Sequence, residues 1–232
     1  MPKYQHLFFD LDHTLWDFES NSRVTLQELY DTLHLQEKGV VSFDFFFERY
    51  TYHNTRLWKR YTRGQIKQED LRWKRMWLAL LDAKIADEPL AKEMALLFLK
   101  SLPEKTTVFP YTFEILEYLK SKSYELHLIT NGFEEVQQRK ITRSGLSPYF
   151  TKVVTSEAAQ SLKPQPEIFD YALKLAAASA KQSIMIGDNQ DADIKGAKNA
   201  GWDTVFVNHI KEAPIVEPTY TVVHLQELEN IF

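Results

Sequence analysis

The chain has 232 residues, 44% hydrophobic and 26% charged, a composition that excludes general disorder and supports a substantial core. A formal net charge of -4 argues against a protein that neutralises the backbone of polymeric nucleic acid, so any phosphate recognition is expected to be local. Without cysteine, disulfides, thiolate nucleophiles and zinc-thiolate sites are ruled out.

The leader Met1-Pro2-Lys3-Tyr4-Gln5-His6 runs into an apolar stretch of only a few residues. It is expected to be neither a signal peptide nor a membrane span, which places the protein in the cytoplasm. Tyr4 to Phe9 reads as a strand that delivers Asp10-Leu11-Asp12-His13-Thr14 to its end. If the strand continues through residue 12, Asp10 and Asp12 share a face roughly 7 Å apart, an arrangement suited to something cationic or reactive between them. A strand end followed by an Asp-His turn, with Thr14 capping the next helix, explains the same residues without chemistry.

From about Ser20 to Leu102 the pattern is helical. Val24, Leu26, Leu29, Tyr30 and Leu33 form one apolar stripe, and further helices are expected over Phe43 to Tyr61, Ile66 to Leu81 and Pro89 to Leu102. Ser42 with Asp44, Gly64, and Asp87 before Pro89 mark the breaks. After Pro103 short β-rich runs alternate with helices. Val108-Phe109-Pro110 introduces a helix through Lys120, and Glu125 to Ile129 is a strand. Glu134 to Ser144 is a helix closed by Gly145, and Lys152 to Val154 a strand. Pro166 to Ala177 is a helix, Ser183 to Ile186 a strand, Asp193 to Ala200 a helix, and Thr204 to Val207 a strand. Such alternation predicts an α/β fold with a doubly wound parallel sheet, whose sites gather at the carboxyl ends of the strands. The expected domains are an α/β catalytic core, residues 1–17 with 104–232, and an all-helical cap, residues 18–103, inserted after the first strand.

Four strand ends or following loops then carry polar residues: Asp10 and Asp12; Thr130-Asn131-Gly132; Lys163-Pro164; and Gly187-Asp188 with Asp193. Each has a bland reading as a turn, a cap or a solvated side chain. All four sets are nevertheless predicted on one edge of one sheet. In order and spacing they resemble the haloacid dehalogenase superfamily, whose signature is Asp-x-Asp-x-Thr, then Ser or Thr, then Lys, then Gly-Asp with a further acid. The resemblance covers essentially the whole chain and implies a Rossmann-like core, with the helical insertion as cap.

The resemblance also implies a chemistry. A phosphomonoester needs charge neutralisation, a positioned nucleophile and a proton for its leaving oxygen. Asp10 is expected to attack phosphorus, and Asp12 to protonate the leaving alkoxide and then activate water. Mg2+ is the implied cofactor, held by Asp10, Asp188, the Asp12 carbonyl and Asp193, unless Asp193 instead holds Lys163. Thr130 with the amides near Asn131 and Gly132 would bind phosphoryl oxygens, while Lys163 offsets negative charge. Thr14 is read as ordering the loop, and His13 as loop packing or substrate contact.

The family's dehalogenases lack the second aspartate, so Asp12 points to a phosphatase. No cap lysine among Lys59, Lys67 and Lys74 stands out as a phosphonatase Schiff base, and a phosphomutase would use the same four motifs. The opening Asp-Leu-Asp-His-Thr-Leu-Trp-Asp-Phe resembles the branch of pyrimidine nucleotidases acting on nucleoside 5′-monophosphates; a sugar-phosphate or other metabolite phosphatase is the alternative. The basic and aromatic segment Arg56 to Arg63 could stack a base or be a solvated helix face. A receiver domain has its acid pair before the acceptor aspartate, the wrong order here, and a silent binding module would have lost one of the acids. Small-molecule phosphate esters are the expected partners, with no nucleic acid polymer and no membrane; the sequence leaves the oligomeric state open.

Overall fold

A computed structural model of the chain describes residues 3–232, so the Met1-Pro2 start of the leader lies outside the described residues. The chain divides into two compact units, Glu19–Lys105 and Met1–Phe18 with Thr106–Phe232.

The helical unit contains α1 (Phe18–Thr32, entering from the other unit), α2 (Phe43–Thr62), α3 (Gln68–Asp82) and α4 (Glu88–Ser101). Ser42 accepts from the Phe45 N–H at the start of α2, and Asp87 accepts from the Leu90 N–H at the start of α4. Phe46, Tyr50, Leu71, Met76, Leu80, Met94 and Phe98 fill the interior. Arg75 is buried with them, its guanidinium 5.1 Å from the Phe98 ring centre and its Nη1 donating to Asn54. The stripe read on α1 needs one correction. Thr25, Leu26, Leu29 and Tyr30 are buried, whereas Val24 is 50% exposed, because the three-to-four residue period turns it outward. In Arg56 to Arg63 the basic residues are exposed, while Trp58 and Tyr61 are half-buried and meet edge to face.

The other unit is built on a six-stranded sheet: β1 (His6–Phe9), β2 (Glu125–Thr130), β3 (Lys152–Thr155), β4 (Ser183–Gly187), β5 (Asp203–Val207) and β6 (Tyr220–Val222). All pairings are parallel, in the order β3-β2-β1-β4-β5-β6. Its helices are α5 (Thr112–Ser121), α6 (Glu134–Arg143), α7 (Ser156–Ala159), α8 (Pro166–Ala176) and α9 (Gly196–Asn199). β1 and β4 are buried at every position, as central parallel strands covered on both faces require. Phe8, Ile129 and Met185 pack with Ile168, Phe169 and Ala172 of α8 and with Trp202 on one face. Strand order reverses between β1 and β4, and a doubly wound sheet opens its binding crevice at that point.

β1 ends at Phe9, the end read for it, though it begins at His6 rather than Tyr4, and it does not run on through residue 12. The Asp10 N–H makes a last bond to Ile186 O, after which the Leu15 and Trp16 N–H groups both fold back onto Leu11 O, so Asp10 and Asp12 do not share a strand face. The helix read from Asp193 begins earlier, as a π-helical turn Gln190–Lys195, because Asn189 O accepts from both Asp193 and Ile194. β6 and α7 are elements that the sequence reading did not anticipate.

Asp203 ties the start of β5 to the chain's beginning, accepting from Lys3 at 2.7 Å and Tyr4 at 2.8 Å. Burial pushes its carboxyl up, but the hydrogen bonds from Lys3 and Tyr4 outweigh burial and hold it below the ordinary value. A carboxyl lowered by folding contributes stability above its unfolded value and loses it as pH falls through the folded one. Asp203→Asn is therefore expected to cost about 1 kcal/mol at neutral pH, a fall in Tm of about 2–4 °C. In thermal melts at successively lower pH, the gap from the parent protein should close below the carboxylate range.

Candidate active site

Four segments of the sheet-bearing unit meet at the carboxyl edge. Asp10 follows β1, Lys163 lies between α7 and α8, Asp188 follows β4, and Asp193 sits in the π-helical turn. Lys163 is 2% exposed, and its Nζ donates to Asp10 Oδ1 at 2.6 Å, Asp193 Oδ1 at 2.6 Å and Ile129 O at 2.7 Å. All three ammonium protons are thus used. Carboxylate oxygens of Asp10, Asp188 and Asp193 lie within 4.8 Å of one another.

Three carboxylates against one ammonium leave the cluster short of positive charge. Burial, with Asp193 and Asp12 nearby, pushes the Asp10 carboxyl up to about 7 although Lys163 pulls it down. Burial and the charges of Asp10 and Asp193 also raise Asp188 well above the carboxylate range. Burial alone would lower Lys163, but Asp10 and Asp193 overcome it and raise the ammonium above its ordinary value. An all-oxygen donor set lacking two positive charges fits a hard divalent ion.

Local geometry explains why the supporting residues are what they are. Asp193 folds back so that its Oδ2 accepts from the Asn189 N–H, and a Cβ at residue 187 would stand 2.3 Å from that same oxygen. Only glycine admits this approach. Gly187→Ala should displace Asp193 and with it Lys163, lowering kcat by about 100-fold. Steady-state kinetics beside a thermal melt would separate that loss from unfolding. Thr14 donates to Asp188 Oδ1 at 3.0 Å and accepts from the Asp188 N–H, so it orders Asp188 as well as its own loop. Behind it His209, stacked on Phe109, places Nε2 3.2 Å from Thr14 O.

Asp12 has different surroundings. Its carboxylate stands outside the cluster, with Oδ1 2.6 Å from Lys140 Nζ and Oδ2 3.0 Å from Gln137 Nε2. Gln137 also donates to Thr130 Oγ1, which accepts from the Gly132 N–H as well. With both lone pairs engaged, the Thr130 O–H is left as a donor for an incoming oxygen. Gly132 has its own steric reason, since a Cβ there would lie 2.3 Å from the Gln137 side chain. The Asn131 side chain exchanges two hydrogen bonds with the backbone of Lys163, at 2.8 and 2.9 Å, locking the two loops together. Its side chain therefore braces the loop that carries the lysine. His13 adopts a left-handed conformation with its ring 5.1 Å from Phe18.

Gln137 and Lys140 were not anticipated. The signal was present as polar residues three apart, on the face of α6 that also buries Ile141. Lys140 is buried against the Trp16 ring, 4.3 Å from its centre, so its ammonium reaches Asp12 through an apolar sheath.

A buried lysine among carboxylates, a second carboxylate held apart, and a donor hydroxyl on the neighbouring strand equip this edge for nucleophilic displacement with proton transfer. The chain belongs to the haloacid dehalogenase-like hydrolases, whose family model matches residues 7–207. It is 32% identical to pyrimidine 5'-nucleotidase PynA of Streptococcus pneumoniae, over 97% of this chain and 93% of that protein. It is 33% identical to pyrimidine 5'-nucleotidase YjjG of Escherichia coli, over 99% of this chain and 98% of the relative. Among solved structures, the putative HAD-hydrolase YfnB of Bacillus subtilis, bound to magnesium, matches with a TM-score of 0.89 at 26% identity, covering 99% of this chain and 98% of that one.

Proposed function

We propose that the protein is a Mg2+-dependent phosphomonoesterase that works through an aspartyl-phosphate on Asp10 and acts on pyrimidine nucleoside 5′-monophosphates. The observation that carries the chemistry is the separation of Asp10 from Asp12. One carboxylate lies in the lysine-bearing cluster, and the other is held outside it by Lys140 and Gln137. The choice of substrate rests on the near full-length similarity to two pyrimidine nucleotidases. In this reading the helical segment, residues 18–103, is the cap that selects the organic part of the ester.

Asp10, Asp188 and the Asp12 carbonyl would hold Mg2+, which would supply charge neutralisation for the phosphate and the attacking carboxylate. Asp193, with both oxygens engaged by Lys163 and Asn189, positions the lysine. An Asp10 oxygen attacks phosphorus, the bond to the ester oxygen breaks, and Asp12 gives that oxygen its proton. Thr130 and the Asn131 and Gly132 amides receive the phosphoryl oxygens, while Lys163 balances the charge that gathers on Asp10. Water then attacks the aspartyl-phosphate, Asp12 takes its proton, and phosphate leaves with the carboxylate restored.

Phosphate release should require Mg2+ and stop on chelation; robust turnover in EDTA would overturn the mechanism. A screen over nucleoside monophosphates, sugar phosphates and phospho-acids tests the substrate. dUMP, dTMP and UMP should rank first by kcat/KM, and a ranking no higher than hexose phosphates would replace the nucleotidase reading with that of a sugar phosphatase.

A further inference from the structure

Central strands of a parallel sheet are normally continuous apolar runs, yet β1 opens on His6 and β2 carries Glu125 and His127. The parallel register sets His6 beside Glu125 and Phe8 beside His127, and the two-residue period puts all three polar residues on one face. They lie at the amino edge of the sheet, the opposite edge from Asp10. His127 is fully buried and His6 nearly so, with His6 Nδ1 3.2 Å from His127 Nε2 and 3.8 Å from Glu125 Oε2. One ligand atom from each lies within 4.8 Å of the others.

We propose that His6, His127 and Glu125 form a second metal site, for a borderline divalent ion of the zinc type, separate from the carboxylate cluster. Two imidazoles and one carboxylate are ligands that zinc and its d-block neighbours accept, whereas Mg2+ prefers oxygen alone. Bonds of about 2.0–2.1 Å in a tetrahedron set ligand atoms about 3.3 Å apart, close to the spacing of the two imidazoles. The exposed Glu125 brings the negative charge and leaves room for water to complete the coordination.

As an imidazole pair without metal, the two rings share a single N–H, and His127 Nδ1 has no partner among the described residues. Two features limit the affinity. Lys152, paired with His127 across the sheet, opposes a cation, and no acceptor orients the His127 ring. A missing orienting partner weakens a site by about 10–100-fold.

The test uses the full chain, stripped of metal and then held in excess Mg2+ so that the carboxylate cluster is filled. Titration with Co2+ should give one equivalent per chain with the visible absorption of a tetrahedral site, and Zn2+ should displace it and raise Tm. His6→Ala should abolish the Co2+ spectrum. Glu125→Gln, at an exposed position that leaves the fold intact, should weaken binding about tenfold, and kcat with Mg2+ should stay at the parent value in both. No uptake at millimolar Co2+, or a spectrum that persists in His6→Ala, would overturn the proposal and leave an imidazole pair joined by a hydrogen bond. Because Co2+ absorption does not depend on turnover, it reports on this site even if the phosphatase assignment fails.

Discussion

Asp10→Asn should reduce turnover by at least about 10⁴-fold while leaving the melting temperature in EDTA equal to or above that of the parent. The two halves of that expectation come from the same geometry. An amide is no nucleophile toward phosphorus, so no acyl phosphate forms. Folding, however, opposes ionisation of Asp10 through burial and through Asp193. Removing that charge relieves a cluster of three acids around one lysine, and Lys163 keeps its bonds to Asp193 and Ile129 O. Rapid acid quench should recover a phosphorylated Asp10 peptide from the parent protein and none from the variant. Activity within tenfold of the parent would mean that Asp10 is not the attacking group.

Asp12→Asn should lower kcat on alkyl phosphates by about 10²–10⁴-fold, but with a different signature. An aryl ester with a good leaving group needs no proton from Asp12 to break its bond, so the first half of the reaction should survive. Hydrolysis of the aspartyl-phosphate still requires water to lose a proton. Mixing the variant with p-nitrophenyl phosphate should therefore give a burst of about one equivalent of p-nitrophenol, then a slow steady rate. A uniform loss on alkyl and aryl esters, without a burst, would assign Asp12 to positioning alone. Lys140 and Gln137 donate to different oxygens of Asp12, so the asparagine, with one oxygen, keeps the bond to only one of them.

The parallel sheet was legible because β4 and β5 are short, strongly apolar runs separated by helices, and because helices have clear end signals, such as Gly145 after α6. The acids, Thr130 and Lys163 were legible because strand ends and the segments that follow them gather on one edge of the sheet. What the sequence hid depends on contacts between distant segments. The turn that parts Asp10 from Asp12 is closed by the Leu15 and Trp16 N–H groups on Leu11 O, a contact that no strand propensity encodes. β6 is three residues long and exists by pairing with β5. Gln137 and Lys140 read as surface residues until the phase of α6 against Asp12 is known. His6 and His127 look unrelated until the β1 and β2 register sets them together.

The position of β1 in the sheet bears on how the chain is made. β1 is synthesised first, yet it pairs with residues 125–128 on one side and 183–186 on the other. At cellular rates of about 5–20 residues per second, its second partner appears on the order of ten seconds or more later. During that wait His-Leu-Phe-Phe is an unpaired apolar edge, while the contiguous helices of Glu19–Lys105 are free to fold through local contacts. Closing the sheet on its first strand is thus a late event, and the same event brings Asp10 to Asp188 and Asp193. A nascent chain halted before residue 183 holds Asp10 but neither of those acids.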